Sequence, residues 1–496
     1  MEIGIKNRLS FDKNAYTRSL CHVLSKAVHN LFPTETLCIE HAISKSLYCV
    51  FSDKKPLPPE YITQIKHEMQ RLVDANLPFV RQTLPTAEAV SRFAAQGMAD
   101  KVKLMETARM PFTSFYVLDG YCNFFFGDLL SSTGELSLFD LVLFQEGFLL
   151  RAPQAGNGEE LEPMVKQDKM FEAYKRHLHL LDVVGLSNVG DLNESIDRGN
   201  AKNIILVSEA MQEKQIAHIA EEIARRHEDG VRMVLIAGPS SSGKTTFCKR
   251  LQVQLVTNFI KPVGISLDDY FLNREDTPLD ENGKHDYESL YTLDLPCFNR
   301  DLEALLRGEE IDLPTFDFEE GKRVYRGNKL KLEPQTVLVM EGIHALNPEL
   351  TAMVDDANKY RVYVSALTSI SLDNHNRIPT TDNRLIRRII RDHRSRGASA
   401  KDTLERWQSV RNGEDKWIFP FQENADATFN SAMLYELAAL RPLAEPLLQT
   451  VEEGDAVYAE ACRLRSFLSY FTPIDEGMPP RTSLLREFLG GGDFGL

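Results

Sequence analysis

The chain has two tryptophans in 496 residues, seven scattered cysteines and no Cys-x-x-Cys pair. The odd count and the missing pairs exclude a disulfide framework and a zinc ribbon, and reduced thiols are expected. No apolar stretch approaches the roughly 20 residues that a membrane-spanning helix needs. The opening, Met1-Glu2-Ile3-Gly4-Ile5-Lys6-Asn7-Arg8, lacks the apolar core of a signal peptide. These absences predict a soluble, cytoplasmic protein with no membrane partner. Basic side chains are in deficit, 57 Lys and Arg against 72 Asp and Glu, for a net charge of −15. That balance gives no overall positive field for nucleic acid, although a local patch that binds RNA stays open. Repeats and low-complexity tracts are also missing. What remains is a 43 % hydrophobic chain, long enough for two or three domains.

The most informative segment is Met233-Val-Leu-Ile-Ala-Gly238-Pro239-Ser240-Ser241-Ser242-Gly243-Lys244-Thr245-Thr246. An apolar strand runs into Gly-x-x-x-x-Gly-Lys-Thr, and Phe247, Leu251 and Leu255 continue at helical spacing. Glycines permit backbone angles that a Cβ forbids, so successive N–H groups turn inward on phosphate oxygens at the positive end of the next helix. Gly238 to Thr246 are the candidate nucleotide contacts, with Lys244 on the β- and γ-phosphates and Thr245 offering its hydroxyl to Mg²⁺.

Two later strands deliver carboxylates to their C-terminal ends, where α/β sheets place their ligand crevice. One is Val263–Ser266, followed by Asp268; the other is Val337–Met340, tipped by Glu341 and turned by Gly342.

In this order the residues resemble the uridine kinase and phosphoribulokinase group of P-loop kinases, with uridine–cytidine kinase the nearer match, over about residues 230–450. Ser266, Asp268 and Phe271 match the family's Ser-x-Asp-x-x-(Phe/Tyr); the resemblance makes Asp268 the general base on a nucleoside 5′-hydroxyl and a Mg²⁺ contact. Leu293-Asp294-Leu295-Pro296 is similar to the family's Phe-Asp-His-Pro, which assigns Asp294 to the ribose hydroxyls. Pro314-Thr315-Phe316-Asp317-Phe318, followed by Arg323, resembles the stretch lining the base pocket. Glu341-Gly342-Ile343 matches the family's Mg²⁺-site strand. The implied cofactors are ATP and Mg²⁺, and the implied role is pyrimidine salvage.

Arg384 to Gly397 carries an apolar stripe of Leu385, Ile386, Ile389 and Ile390, with arginines filling the rest of the helix. A solvated basic face is the ordinary reading of such a pattern. Phosphoryl transfer, however, depends on cations around the γ-phosphate, and the family's lid helix supplies them, so Arg388, Arg391 and Arg396 become candidate phosphate contacts. Three departures concern the acceptor and the lid. Gly321 stands where the family has a base-contacting His, Ala398 follows Gly397 in place of a usual arginine, and Thr368–Thr381 is longer than the family's loop. That loop either remodels the acceptor site or is a surface insertion.

Residues 14–150 resemble the second additional domain of threonyl-tRNA synthetase, which hydrolyses mischarged tRNA. The likeness rests on Ser19-x-x-His22-Val23-Leu24, Asn30-Leu31-Phe32-Pro33, Leu47–Phe51, a helix bearing Ile62, Ile65, Met69 and Leu72, and Phe124–Leu129. Its two catalytic pairs are missing: Arg18-x-x-x-His22 replaces His-x-x-x-His, and Leu130-x-x-x-Gly134 replaces Cys-x-x-x-His. One imidazole cannot hold a zinc site, so no hydrolysis is expected there. His22 and His29 read as packed or capping residues. Cys248, just inside the P-loop helix, reads as a packed thiol, although a lowered pKa is conceivable at that position.

The expected divisions are a synthetase-like domain over 1–152, a linker and connecting helices over 153–229 including Ser208–His227, a kinase domain over 230–455, and a tail over 456–496 whose short helix, Ser483–Leu489, is ended by Gly490, Gly491 and Gly492. The expected fold class is α/β: a P-loop kinase with a mainly parallel sheet flanked by helices, preceded by an α+β domain. A homo-oligomer is expected. Two alternatives stay open beside a uridine or cytidine kinase: a kinase for another nucleoside or a sugar phosphate, and an RNA-binding regulator switched by ATP.

Overall fold

The structure, a computed structural model, describes residues 11–154, 158–165, 167–280, 283–333 and 335–495. The opening octapeptide and Ala155, Gly156 and Asn157 of the expected linker lie outside the described residues.

The amino-terminal half begins with α1 (Lys13–Leu31), whose cap residue Asp12 accepts from the N–H groups of Asn14 and Ala15. It continues with β1 (Leu37–Ile43), β2 (Ser46–Phe51), α2 (Pro59–Asp74), β3 (Val80–Pro85), α3 (Thr86–Ala95), α4 (Ala99–Ala108), β4 (Phe112–Leu118), β5 (Tyr121–Asn123), β6 (Asp140–Phe144) and β7 (Gly147–Arg151). The strands form two antiparallel sheets, in the orders β1-β2-β7-β6 and β3-β4-β5. As the 3.6-residue spacing predicts, Ile62, Ile65, Met69 and Leu72 are the buried face of α2.

Three helices follow: α5 (Asp168–Val184), α6 (Val189–Asp197) and α7 (Ala201–Glu228). The next elements are β8 (Met233–Ala237), α8 (Lys244–Thr257), β9 (Lys261–Ser266), α9 (Leu295–Leu306), β10 (Ile311–Asp317), β11 (Lys322–Leu330), β12 (Thr336–Glu341) and β13 (Lys359–Ser365). The chain ends with β14 (Ser371–Asp373), β15 (Asn376–Arg377), α10 (Thr380–Arg396), α11 (Ala400–Trp417), β16 (Ala427–Asn430), α12 (Glu436–Gln449), α13 (Tyr458–Leu468) and the four-residue α14 (Arg486–Leu489). The central sheet is parallel throughout, in the order β16-β13-β8-β12-β9. Its middle strands β8 and β12 are buried at every position, as the continuous apolar runs require of strands covered on both faces. Helices α7, α8, α10 and α12 share one core against this sheet.

The loop at 368–381 is not a surface insertion: Ile370, Leu372, Asp373 and Ile378 are buried. Its β14–β15 hairpin docks on the amino-terminal half: the Ile39 N–H donates to Asn374 O at 2.7 Å, and Asn376 Nδ2 donates to Phe124 O at 2.9 Å. Lys101 Nζ meets Asp373 Oδ1 at 3.1 Å with both side chains fully buried. The extra length therefore serves contact between the two halves.

Candidate active site

The P-loop is shaped by close approaches at its two glycines. Gly238 has no room for a side chain, because a Cβ there would lie 2.0 Å from Val364 O. Gly243 caps α8 at φ +85°, in the left-handed region. The hydroxyls of Ser241 and Ser242 are buried and find no hydrogen-bond partner among the described residues, as expected of groups facing a ligand site. Lys244 Nζ rests on Pro239 O at 3.2 Å, and burial lowers its pKa while the Glu341, Asp268 and Glu487 carboxylates act to raise it.

Strand β12 lies between β8 and β9, and its register sets Glu341 across from both Ile236 and Ser266. Glu341 Oε1 accepts from Ser266 Oγ at 3.2 Å and lies 3.5 Å from Thr245 Oγ1. Burial, followed by the Asp268 charge, pushes the Glu341 pKa up to about 7. Asp268 stands in the 3₁₀ turn after β9, and burial raises its pKa against the pull of Lys244, Arg396 and Arg391. Among the described residues no group of three or more His, Cys, Asp or Glu could hold a metal alone. A hydroxyl and two carboxylates beside a phosphate site suit Mg²⁺, which commonly takes one or two protein oxygens and completes its shell with phosphates and water.

Helix α10 uses its arginines in two ways. Arg384 and Arg387 are buried, not solvated, in pairs with Glu414 and Glu436 at 2.5 Å. Each also donates to a P-loop carbonyl, Arg384 to Ser240 O and Arg387 to Ser241 O, both at 3.3 Å. These two position the loop. Arg388 Nη1 reaches Ser240 Oγ at 2.9 Å, while Arg391 is held by Asp392. The neighbouring Arg391 charge and burial lower the Arg396 pKa to about 10, and the Arg396 guanidinium lies 5.4 Å from the centre of the Phe318 ring. Lid and acceptor-side hairpin are thus in contact. Sequence spacing did not separate the two kinds of arginine, because Glu414 and Glu436 are far along the chain.

Phe271, Phe316 and Phe318, expected at the acceptor, form an edge-on series with ring centres 5.6 Å and 5.1 Å apart. Asp294 caps α9, accepting from the Cys297 N–H at 3.0 Å and from Arg323 Nη2 at 2.8 Å. Burial acts to raise its pKa, but these donors outweigh it and hold it low. Gly321 adopts φ +69°, and a Cβ there would meet Arg274 Nε at 2.8 Å, so Arg274 fills the space beside it.

Two groups escaped the sequence reading. Glu288 has its Oε2 sealed from solvent without a hydrogen-bond partner among the described residues, and burial pushes its pKa up to about 7 beside the charges of Arg388, Glu414 and Lys244. His344 is 1 % exposed with both ring nitrogens unpartnered among the described residues, and burial pulls its pKa down to about 4. A lone acid in an acidic chain carries no signal, although His344 directly follows the recognised Glu341-Gly342-Ile343. The conceivable lowered pKa at Cys248 is corrected: burial raises that thiol to about 12.

In the amino-terminal half His22 is fully buried among Phe79, Tyr121 and Phe125, with neither ring nitrogen hydrogen-bonded among the described residues. Burial drives its pKa down to about 3. It is a packed residue. No helix among the described residues is long and apolar enough to cross a membrane.

A glycine-shaped phosphate loop, a lysine, two strand-end carboxylates and a helix whose arginines reach the loop define a P-loop phosphotransferase. Residues 233–437 match the phosphoribulokinase / uridine kinase family. The uridine kinase of Bacillus pumilus is 30 % identical over 192 residues, covering 38 % of this chain and 82 % of that protein. The uridine kinase of Halobacterium salinarum is 28 % identical over 192 residues, covering 38 % of this chain and 76 % of that protein. The chain belongs to the phosphoribulokinase / uridine kinase family. Its amino-terminal region is similar to threonine–tRNA ligase: that of Desulfovibrio desulfuricans is 35 % identical over 116 residues, 23 % of this chain and 18 % of the ligase. The chain therefore spans under a fifth of that relative's length.

Proposed function

We propose that this protein is an ATP-dependent nucleoside kinase that transfers the γ-phosphoryl group to a nucleoside 5′-hydroxyl, with uridine or cytidine as preferred acceptor. The observation that carries the reading is Glu341 at the tip of β12, 3.5 Å from Thr245 Oγ1 of the P-loop and 3.2 Å from Ser266 Oγ at the end of the strand that leads into Asp268. In the reaction Asp268 takes the proton of the attacking hydroxyl, while Lys244, Arg388 and Arg391 stabilise charge on the transferring group. The loop from Gly238 to Thr246 and Arg396 hold the nucleotide, and Thr245, Asp268 and Glu341 would hold Mg²⁺, which supplies charge neutralisation on the phosphates. Phe271, Phe316, Phe318 and Arg323 line the acceptor side. Asp294, which caps α9 and pairs with Arg323, is the carboxylate for the sugar hydroxyls.

Gly321, with Arg274 packed beside it, favours one second reading, a kinase for another nucleoside or a sugar phosphate. Incubation with ATP, Mg²⁺ and a panel of nucleosides and sugar phosphates, with mass spectrometry of the products, tests both. A pyrimidine 5′-monophosphate supports the first and a different phosphorylated product the second; ATP hydrolysis without acceptor phosphorylation contradicts both. The four-part division of the chain, a cytoplasmic location and a homo-oligomeric state belong to the same proposal.

A further inference from the structure

The first turn of α8 already holds an anion. Thr246 N–H donates to Glu487 Oε2 at 3.2 Å and Thr246 Oγ1 donates to the same oxygen at 2.8 Å, with Glu487 only 8 % exposed. An N–H at the third position of a helix has no partner within the helix. In a P-loop such groups, reinforced by the helix dipole, are the donors that receive nucleotide phosphate.

The segment carrying Glu487 is firmly seated. Leu484 lies over Gly243 so closely that a Cβ on the glycine would meet its Cδ2 at 2.6 Å. Arg394 of the lid donates to Glu487 O at 2.8 Å and Phe488 O at 3.0 Å. The Arg387 guanidinium lies 4.8 Å from the Phe488 ring centre, and Lys249 Nζ donates to Phe494 O at 2.9 Å. One short segment thus joins the lid helix, the P-loop glycine and the phosphate-binding turn. The Glu487 charge also acts on both Lys244 and Glu341.

We infer that residues 483–489 are a built-in occupant of the nucleotide site, in which the Glu487 carboxylate takes the Thr246 donors that nucleotide phosphate needs, so that ATP binds only by displacing it. This rests on the P-loop reading above. Displacement would also release the Arg394 grip on the segment, coupling nucleotide entry to the lid.

The test uses the full-length chain and its Glu487→Ala and Glu487→Gln variants, each checked for an unchanged melting transition. ATP affinity is measured by calorimetry, and hydrogen exchange of residues 484–490 is followed with and without saturating ATP. Removing the charge-assisted contact is expected to tighten ATP binding by about tenfold for Glu487→Ala. Glu487→Gln, which keeps the side-chain length and loses the charge, should fall between it and the parent. ATP should speed exchange of the segment in the parent chain. If ATP binds but the variants bind it equally or more weakly, or if ATP slows exchange at 484–490, the segment supports the nucleotide site and the inference falls alone. If the parent and both variants bind no ATP, the P-loop reading and this inference fall together.

Discussion

His22 and Glu341 are both buried polar groups at the centre of a once-recognised motif, and their surroundings differ. Aromatic rings 5.2 to 6.0 Å away surround His22 and leave its nitrogens unbonded among the described residues. Glu341 is 9 % exposed, is bonded to Ser266, faces Thr245 and lies within the field of Lys244. Burying a neutral imidazole without hydrogen bonds costs the desolvation of two polar nitrogens, whereas burying an ionised carboxylate costs far more unless cations and donors are kept for it. Around His22 the amino-terminal half offers apolar packing. Around Glu341 the kinase half keeps a hydroxyl donor and a lysine.

The sharpest way to break that contrast is Asp268→Asn. Loss of a positioned general base should lower turnover by about 10²- to 10⁴-fold while ATP affinity stays within about twofold, read from steady-state rates and calorimetry on the same protein. Retained turnover would remove Asp268 from the reaction.

The second test addresses His22. Its folded pKa is depressed, so the stability that goes with the neutral ring is complete above the ordinary histidine value of 6.5 and is lost as pH falls from there toward about 3. At pH 5 the loss should reach about 2 kcal/mol. His22→Leu should flatten that part of the acid dependence of thermal unfolding and leave kinase rates unchanged. An unaltered slope would mean that the ring is not sealed in solution.

The smallest expected effect sharpens the acceptor side. Asp294→Asn should raise the acceptor KM by about tenfold and leave the ATP KM alone, as expected for loss of one hydrogen bond to a charged partner. Equal acceptor KM values for the two proteins would exclude Asp294 from the sugar contacts.

Local chemistry made much of this legible in the sequence. Gly238 to Thr246, Asp268 and Glu341 announced themselves because a phosphate loop and two strand tips each need particular residues at fixed spacing. The apolar stripe of α10 was equally readable, and Leu385, Ile386, Ile389 and Ile390 are all buried. The helices flanking the P-loop were less exactly bounded. The expected Ser208–His227 helix begins earlier, at Ala201, and the tail helix is confined to Arg486–Leu489. What could not be read depends on partners distant in the chain: Arg384 with Glu414, Arg387 with Glu436, the docked hairpin around Asp373, and Glu487 on Thr246. Each is a pair between groups that are individually ordinary, and only the folded chain brings them together.

The most direct measurement gives one preparation both tasks. The purified chain is supplied in parallel with ATP, Mg²⁺ and nucleosides, and with mischarged threonine tRNA, while nucleoside phosphorylation and deacylation are followed together. A nucleoside 5′-monophosphate that accumulates while the tRNA decays at the buffer rate is the predicted result. Accelerated deacylation, or no phosphorylated nucleoside, would contradict the division of a working kinase half from a silent synthetase-like one.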